Sequence, residues 1–279
     1  VCSRKGTQVK NRDTTDTHDI YTQFSSEFCG FVLCILISMS PTLRVVPNKH
    51  LFVSEPDPRN FGNGPNEEED SSWTESNWLK SRFHFSYAEY NSYENNNFGV
   101  LRVLNDDVIQ PHRGFGTQPH RDMEILSYVV QGHLTHEDNL GNKQTLGRGA
   151  IQCMSTGSGI RHSEQNFGDV PLRCINIWIV PQESCLTPSY GSYECSDMQE
   201  RKNHLQHLVS NGKKSTTTPL EVQQDCDIYA ATLDLGSQVN MELPPDRQAY
   251  LLCIEGSIQI NSGSATVTKY DACEITQGG

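Results

Sequence analysis

Two pairs of residues in this chain have the types and the spacing of metal ligands. Gln118 and His120 are separated by one residue, and so are His162 and Glu164. In an extended strand, positions i and i+2 project to the same side, so each pair would point in one direction. Pro119 favours an extended conformation at the residue before it. Two such pairs on facing strands of a small barrel would converge on one point.

The residue types indicate a mononuclear metal site. Two imidazoles and one carboxylate are the ligand set of non-haem Fe(II) enzymes, and they leave coordination positions open for substrate or oxygen. His120, His162 and Glu164 would supply that set, and Gln118 could offer its carbonyl oxygen as a fourth ligand. Spacing alone leaves the alternative open. The chain has ten histidines, and a histidine in a β segment is commonly a surface or hydrogen-bonded core residue.

The run HLTHED adds two more histidines in a segment that the pattern predicts to be a strand. His133 and His136 are three residues apart and would face opposite sides, so at most one of them could reach the site. We interpret them as partly exposed strand histidines and not as ligands.

Short β strands are the elements that must position these residues. From Trp78 to Pro181, β-rich segments such as MEILSYVVQGHLTHED and GAIQCMSTGSG alternate with Gly, Asn and Asp turns. Many short strands without a long helical period predict an all-β sandwich or barrel. A second β-rich stretch begins near Gln224. It contains no histidine, since the last one is His207, and we expect a metal-free structural barrel. The nearness of its last strand to Gly279 suggests that this barrel is cut short.

The segments around these units have a different composition. The run EPDPRNFGNGPNEEEDSS is rich in Pro, Asn and acidic residues and predicts an extended arm or loop. The run SDMQERKNHLQHLVS has the spacing of a short helix, with Leu205 and Leu208 on one face. The predicted organisation is an arm over 41–76, a first barrel over 77–182, a linker over 183–223 and a second barrel over 224–279.

The apolar run GFVLCILI at residues 30–37 is too short to span a bilayer, which takes about 20 apolar residues. The long stretch of mixed charge before it is unlike a signal or mitochondrial transit peptide. Met39 opens MSPTLRVVPNKH, which looks like an ordinary protein start. We therefore expect residues 1–38 to lie outside the native folded protein, and we assign residues 1–40 to a non-native leader or a disordered segment. N-terminal sequencing of natively purified protein tests this expectation.

Charge and cysteine content exclude some classes of partner. A formal net charge of −12 argues against direct nucleic-acid binding, because phosphate contacts need Lys and Arg. The ten cysteines include no CxxC pair, and their spacing indicates no zinc framework. Several of them, such as Cys174 in LRCINIWIV, lie in apolar runs typical of core residues. These features favour a reducing compartment, the cytoplasm with the nucleus as the alternative, and no membrane partner.

From Trp78 to Pro181 the chain resembles the N-terminal cupin of the pirin family, which includes the bacterial quercetinase-like pirins. The matching runs include FGVLRVLNDDVIQPHRGFGTQPHRDMEILSYVVQG, HLTHEDNLGNKQTL and MSTGSGIRHSEQN. After Ser189 the chain resembles the family's linker and second cupin more weakly. The resemblance implies an all-β fold of two tandem cupin β-barrels, a bicupin, with a short and partly helical linker.

The resemblance also implies a ligand set. The family's His-Pro-His motif falls on Gln118–His120 of this chain, and its His-x-Glu motif falls on His162–Glu164. Gln118 departs from the pattern, and an amide oxygen is a weaker donor than imidazole for iron, copper or nickel. We therefore expect one divalent metal ion, held less tightly than in the family. The expected metal is Fe(II), with nickel, manganese, copper or zinc as alternatives.

Three functions follow from this resemblance. The first is a metal-dependent dioxygenase that opens a small aromatic substrate such as the flavonol quercetin, with Glu164 as the base that removes a flavonol proton. The second is a regulatory pirin without catalytic activity that uses its metal to bind a protein partner. The third is a bicupin that has lost its metal.

Overall fold

The computed structural model describes residues 30–36, 42–65, 78–212, 217–244 and 246–276. Over these residues the chain is almost entirely β structure, which confirms the predicted class. Its helical turns there are short 3-10 segments at Asn48–His50, Pro58–Phe61 and Met198–Arg201. Within the same ranges, no helix has the length and apolar character needed to cross a membrane.

The strands are numbered in chain order. They are β1 (Gly30–Leu36), β2 (Thr42–Val46), β3 (Phe52–Ser54), β4 (Leu79–Phe83), β5 (Leu101–Ile109), β6 (Arg113–His120), β7 (Glu124–Gln131), β8 (Leu134–Asp138), β9 (Lys143–Leu146), β10 (Ile151–Ser155), β11 (Ile160–Asn166), β12 (Leu172–Ile179), β13 (Ser189–Tyr193), β14 (Gln206–Ser210), β15 (Leu220–Glu221), β16 (Ile228–Leu233), β17 (Ala249–Glu255), β18 (Ser257–Ile260), β19 (Ala265–Thr268) and β20 (Ala272–Thr276).

These strands form two β units. The first barrel has a seven-stranded sheet in the order β13-β10-β7-β12-β5-β4-β3 and a four-stranded sheet in the order β6-β11-β8-β9. The second barrel has a seven-stranded sheet in the order β15-β14-β16-β1-β17-β20-β2 and the hairpin β18-β19. The pairings in the first barrel are antiparallel, so directly opposed residues point to the same side of their sheet.

The N-terminal part of the chain contributes strands to both barrels. β1 lies between β16 and β17, and β2 pairs with β20, so both belong to the second barrel. β3 then pairs with β4 in the first barrel. Most of residues 1–38 lie outside the described ranges, and the described part of them is the strand β1. Whether residues 1–38 belong to the native protein stays a prediction.

Residues 183–223, which we expected to be a linker, supply strands to both barrels. β13 pairs with β10 of the first barrel, and β14 pairs with β16 of the second. The expected helix is the single 3-10 turn Met198–Arg201. Leu205 and Leu208 do not share a helical face. Leu205 comes directly before β14, and Leu208 lies at a register shift between His207 and Val209 of that strand. Leu205 packs against the second barrel's core, and Leu208 belongs to the shared core described next.

The two barrels share one hydrophobic core. Its buried members come from the first barrel, as Leu126 and Ile177 do, and from the second, as Ile228 and Leu252 do. This shared core explains why β7 is buried along almost its whole length and does not alternate. Its sheet is covered by the second barrel on one face and by the four-stranded sheet on the other. Cys174 is 1% exposed, as its apolar run predicts.

Polar contacts also cross the junction between the barrels. Arg173 forms a buried bidentate ion pair with Asp106, at 2.6 and 2.9 Å, and donates a third hydrogen bond to the Ile254 carbonyl at 2.9 Å. His84 shares a hydrogen bond of 2.8 Å with the Tyr250 hydroxyl. These contacts fix the face of the first barrel that lies behind the candidate site.

Candidate metal centre

The candidate ligands are set by the register around β11, the second strand of the four-stranded sheet. His162 lies opposite Gln118 of β6 on one side and Asp138 of β8 on the other. Glu164 lies opposite His136 of β8. A register shift between His162 and Glu164 interrupts the pairing with β6 there. Because opposed residues share a side, β11 carries two adjacent rows of polar side chains into the barrel.

One glycine allows β6 to approach β11 this closely. A Cβ at Gly114 would collide with the main-chain carbonyl oxygen of Glu164 and the Cα of Gln165. The position therefore excludes any larger residue unless the two strands move apart. The close approach holds Glu164 beside the strand that carries Gln118 and His120.

The four residues predicted from the sequence line one cavity. Gln118, His120, His162 and Glu164 all contribute to its wall. The rings of His120 and His162 are 5.0 Å apart, centre to centre. The closest donors are a different triad, because candidate ligand atoms of His136, His162 and Glu164 all lie within 4.8 Å of one another. The structure therefore adds His136, which we interpreted from the sequence as partly exposed and which is completely buried.

Two imidazole nitrogens at this point lack a hydrogen-bond partner in the described part of the chain. Nδ1 of His136 and Nδ1 of His162 are buried and accept or donate no hydrogen bond among the described residues. Burial lowers the pKa of His162 to about 3, with contributions from His120 and His136, and burial also lowers the pKa of His136. Both rings are therefore neutral near pH 7, the form that binds a metal. Buried polar atoms without partners are rare, and a cation would satisfy these two.

Glu164 is held in place from the opposite sheet. Its Oε1 accepts a hydrogen bond from Gln152 Nε2 at 2.6 Å and another from Ser127 Oγ at 3.1 Å. Nδ1 of His162 is 3.8 Å from the same oxygen. Burial raises the pKa of Glu164 to about 7. A carboxylate in this position lacks a counter-charge, which a divalent cation between it and the imidazoles would supply.

His136 is also oriented as metal-bound histidines usually are. Its Nε2 is 3.0 Å from Asp138 Oδ2, which leaves Nδ1 directed away from that carboxylate. Asp138 is itself fixed, because its Oδ1 accepts hydrogen bonds from the main-chain NH groups of Leu140 and Asn142. A carboxylate on the far nitrogen fixes the tautomer of a ligating imidazole and makes it a better donor.

The cavity next to these donors is suited to an aromatic molecule. Its empty space, which includes the part that opens to solvent, is about 690 Å³. Its walls include the aromatic rings of Phe83, Tyr87, Phe115 and Trp178. The Trp178 ring is 4.9 Å from that of His120, so an aromatic wall adjoins the donors directly.

The comparisons with known proteins agree with this architecture. Residues 66–179 match the family model described as Pirin, and residues 208–278 match one described as Quercetinase C-terminal cupin domain. The pirin-like protein of Caulobacter vibrioides is 41% identical over 184 residues, which are 66% of this chain and 78% of that protein. The quercetin 2,3-dioxygenase of Escherichia coli strain K12 is 37% identical over 192 residues, which are 68% of this chain and 80% of that enzyme.

A solved structure extends the likeness to three dimensions. The bacterial pirin YhhW from Escherichia coli in complex with nickel(II) aligns with a TM-score of 0.61 and 26% identity, over 84% of this chain and 90% of that one. The two β units described above are therefore the two cupin barrels that were predicted.

Proposed function

Because the chain belongs to the pirin family, we propose that it is a metal-binding bicupin of the quercetin 2,3-dioxygenase type. The observation that carries the proposal is the group of His136, His162 and Glu164, which are buried and have candidate ligand atoms within 4.8 Å of one another. Each of the two imidazole rings has one buried nitrogen without a hydrogen-bond partner among the described residues. This group adjoins a cavity whose walls include several aromatic rings. A relative with the quercetin dioxygenase name and a nickel-bound structural neighbour support the same reading.

His162 and Glu164 belong to both of the ligand sets that we consider, which differ in the third ligand. His120 completes the set predicted from the sequence, with the Gln118 oxygen as the fourth ligand. His136 is the alternative third ligand, because one of its ring nitrogens lies within 4.8 Å of candidate ligand atoms of the other two residues and Asp138 orients its ring. The metal is a divalent ion, and we keep iron(II) as the expected species, with nickel as the one that the Escherichia coli relative carries.

Each residue has a role in this proposal. A divalent ion bound here would supply a Lewis acid that favours loss of a proton from a flavonol hydroxyl. Glu164 is the proposed base, since its carboxyl group lines the cavity in which the flavonol hydroxyl would lie. Gln152 and Ser127 hold its Oε1 and leave the rest of the carboxylate to act. Trp178 and Tyr87 would hold the flat rings of the substrate and exclude water.

The substrate is proposed to be a flavonol or a similar small aromatic molecule, and we keep the cytoplasm as the proposed location. Metal-loaded protein should consume quercetin and dioxygen together, measured by the loss of flavonol absorbance and by an oxygen electrode. Glu164→Gln should abolish this turnover while the circular dichroism spectrum stays unchanged. Unchanged turnover in Glu164→Gln contradicts the role of Glu164.

Two further variants decide the third ligand. If His120 is that ligand, His120→Ala should lose bound metal and His136→Ala should keep it, and the reverse holds if His136 is that ligand. If neither variant loses bound metal, neither His120 nor His136 is the third ligand. Metal content by mass spectrometry is the readout, so the result does not depend on activity.

A further inference from the structure

The cavity wall contributed by the seven-stranded sheet is polar where a barrel interior is usually apolar. Asn105 and Asp107 lie two residues apart on β5 and so share its inner face. Asn176 of β12 lies opposite Asn105, and Ser81 of β4 lies opposite Asp107. All four side chains line the cavity, and Ser81, Asn105 and Asp107 are at most 3% exposed. We call these four residues the polar plate.

Most hydrogen-bonding groups of the polar plate pair with one another. The Ser81 hydroxyl donates to Asp107, and the Asn176 side chain also hydrogen-bonds to Asp107. The Asn176 carbonyl oxygen accepts from Trp178 Nε1 at 2.9 Å. Asn105 is the exception, because its carbonyl oxygen is buried and has no hydrogen-bond partner among the described residues. An unpaired buried oxygen costs stability, so its presence at a cavity wall calls for a reason other than folding.

We propose that the polar plate binds a hydroxyl group of the aromatic substrate, with the Asn105 carbonyl oxygen as the acceptor. This inference rests on the proposed function, since it concerns the same cavity and a second part of the same molecule. The metal donors lie on the four-stranded sheet and the polar plate on the other sheet. A substrate that lies between them would bind the metal through its hydroxyl and keto oxygens. A further hydroxyl group, elsewhere on the same substrate, would bind the polar plate.

Asp107 extends the range of groups that the polar plate can accept. Burial raises its pKa to about 7, so its carboxyl group can donate as well as accept a hydrogen bond near neutrality. The aromatic walls Tyr87 and Trp178 restrict the ligand to flat rings. The substrate class is therefore a planar polyphenol, and a flavonol without additional hydroxyl groups should bind less tightly.

Quercetin and 3-hydroxyflavone distinguish the two ends of the site. Both carry the hydroxyl and keto oxygens of a flavonol, but 3-hydroxyflavone lacks the other hydroxyl groups. Binding to the metal-loaded, full-length protein is measured by calorimetry without oxygen, so that no turnover occurs. Wild-type protein should bind quercetin about tenfold more tightly than 3-hydroxyflavone, because a buried acceptor is then satisfied.

Asn105→Leu is the test variant, because leucine has the same number of side-chain heavy atoms as asparagine and lacks the unpaired oxygen. It should lose the preference for quercetin, keep its affinity for 3-hydroxyflavone and melt at the same or a higher temperature than wild type. The control is Asn97→Leu, the same change on an exposed loop, which should keep the preference.

The possible results separate this inference from the proposed function. If wild type binds both flavonols equally, or if Asn105→Leu still binds quercetin more tightly than 3-hydroxyflavone, the polar plate does not bind a substrate hydroxyl group. The proposed function is unaffected by either result. If Asn105→Leu melts at a lower temperature and loses affinity for both flavonols, Asn105 is structural. If neither flavonol binds to wild type, the proposed function itself is overturned.

Discussion

Asp107 should make the protein less stable as the pH rises from about 4 to about 7. Burial raises the pKa of this carboxyl group from 3.8 to about 7, and the nearby charges of Asp106 and Glu164 add to the effect. Between these two values the folded chain holds a proton that the unfolded chain releases, so a rise in pH favours unfolding. The whole difference corresponds to about 4 kcal/mol of unfolding free energy, at about 1.4 kcal/mol for each pH unit.

Asp107→Asn isolates this contribution. The amide cannot titrate, and its oxygen can still accept the hydrogen bond that Ser81 donates to Asp107. Between pH 5 and pH 8, wild type should lose about 2–3 kcal/mol more unfolding free energy than Asp107→Asn does. Urea denaturation followed by tryptophan fluorescence at both pH values measures the difference.

The control for this experiment is Asp246→Asn, an exposed aspartate in the second barrel, which should follow wild type at both pH values. Parallel pH profiles of wild type and Asp107→Asn would refute the reasoning. They would mean that Asp107 does not change its protonation on unfolding.

Three further predictions concern other positions. Gln118→His should hold the metal more tightly, since imidazole is a better donor than an amide oxygen for transition metals. The measurement is the chelator concentration that removes half of the bound ion, and an unchanged concentration places residue 118 outside the ligand set. Arg173→Ala should lower the unfolding free energy by about 3–5 kcal/mol, because Asp106 is left buried without its ion pair. The double variant Arg173→Met with Asp106→Leu should recover most of this loss. Urea denaturation that shows no loss in Arg173→Ala would contradict the argument from the buried ion pair. Tyr250→Phe should cost about 1 kcal/mol in the same assay, since it removes the 2.8 Å hydrogen bond to His84 and keeps the ring, whereas no change would mean that water replaces the hydroxyl.

The sequence predicted the candidate site through the two-residue period of strands. Gln118 with His120, and His162 with Glu164, line the same cavity because each pair lies on one face of its strand. The period alone does not reveal the register between strands. The sequence therefore could not show that His162 lies opposite Gln118 and Asp138, or that Ser127 and Gln152 reach Glu164 from the other sheet.

His136 was missed although the sequence contained a signal for it. Leu134 and His136 are two residues apart, so they share a face, and the leucine predicts that this face is buried. His133 lies on the opposite face and is exposed. The apolar residue at position 134 therefore distinguishes His136, on the buried face, from His133, on the exposed one.

The region between the barrels was the least predictable part of the fold. The spacing of Leu205 and Leu208 fits a helical face, but in a strand the same three-residue spacing places the two side chains on opposite sides. Each side meets a different core here, one in the second barrel and one shared by both. The spacing of apolar residues in one short segment cannot distinguish such a helix from such a strand, because the surfaces against which the segment packs come from distant parts of the chain.

The metal content of the purified protein tests the central proposal most directly. Protein prepared without chelator is analysed by inductively coupled plasma mass spectrometry beside the variants His162→Ala and His133→Ala. His133→Ala is the control, because His133 is exposed and comes directly before β8. We predict close to one divalent ion in wild type and in His133→Ala, and its loss in His162→Ala. Absence of metal in wild type even after reconstitution, or equal metal in all three proteins, would contradict a metal centre at His162 and Glu164.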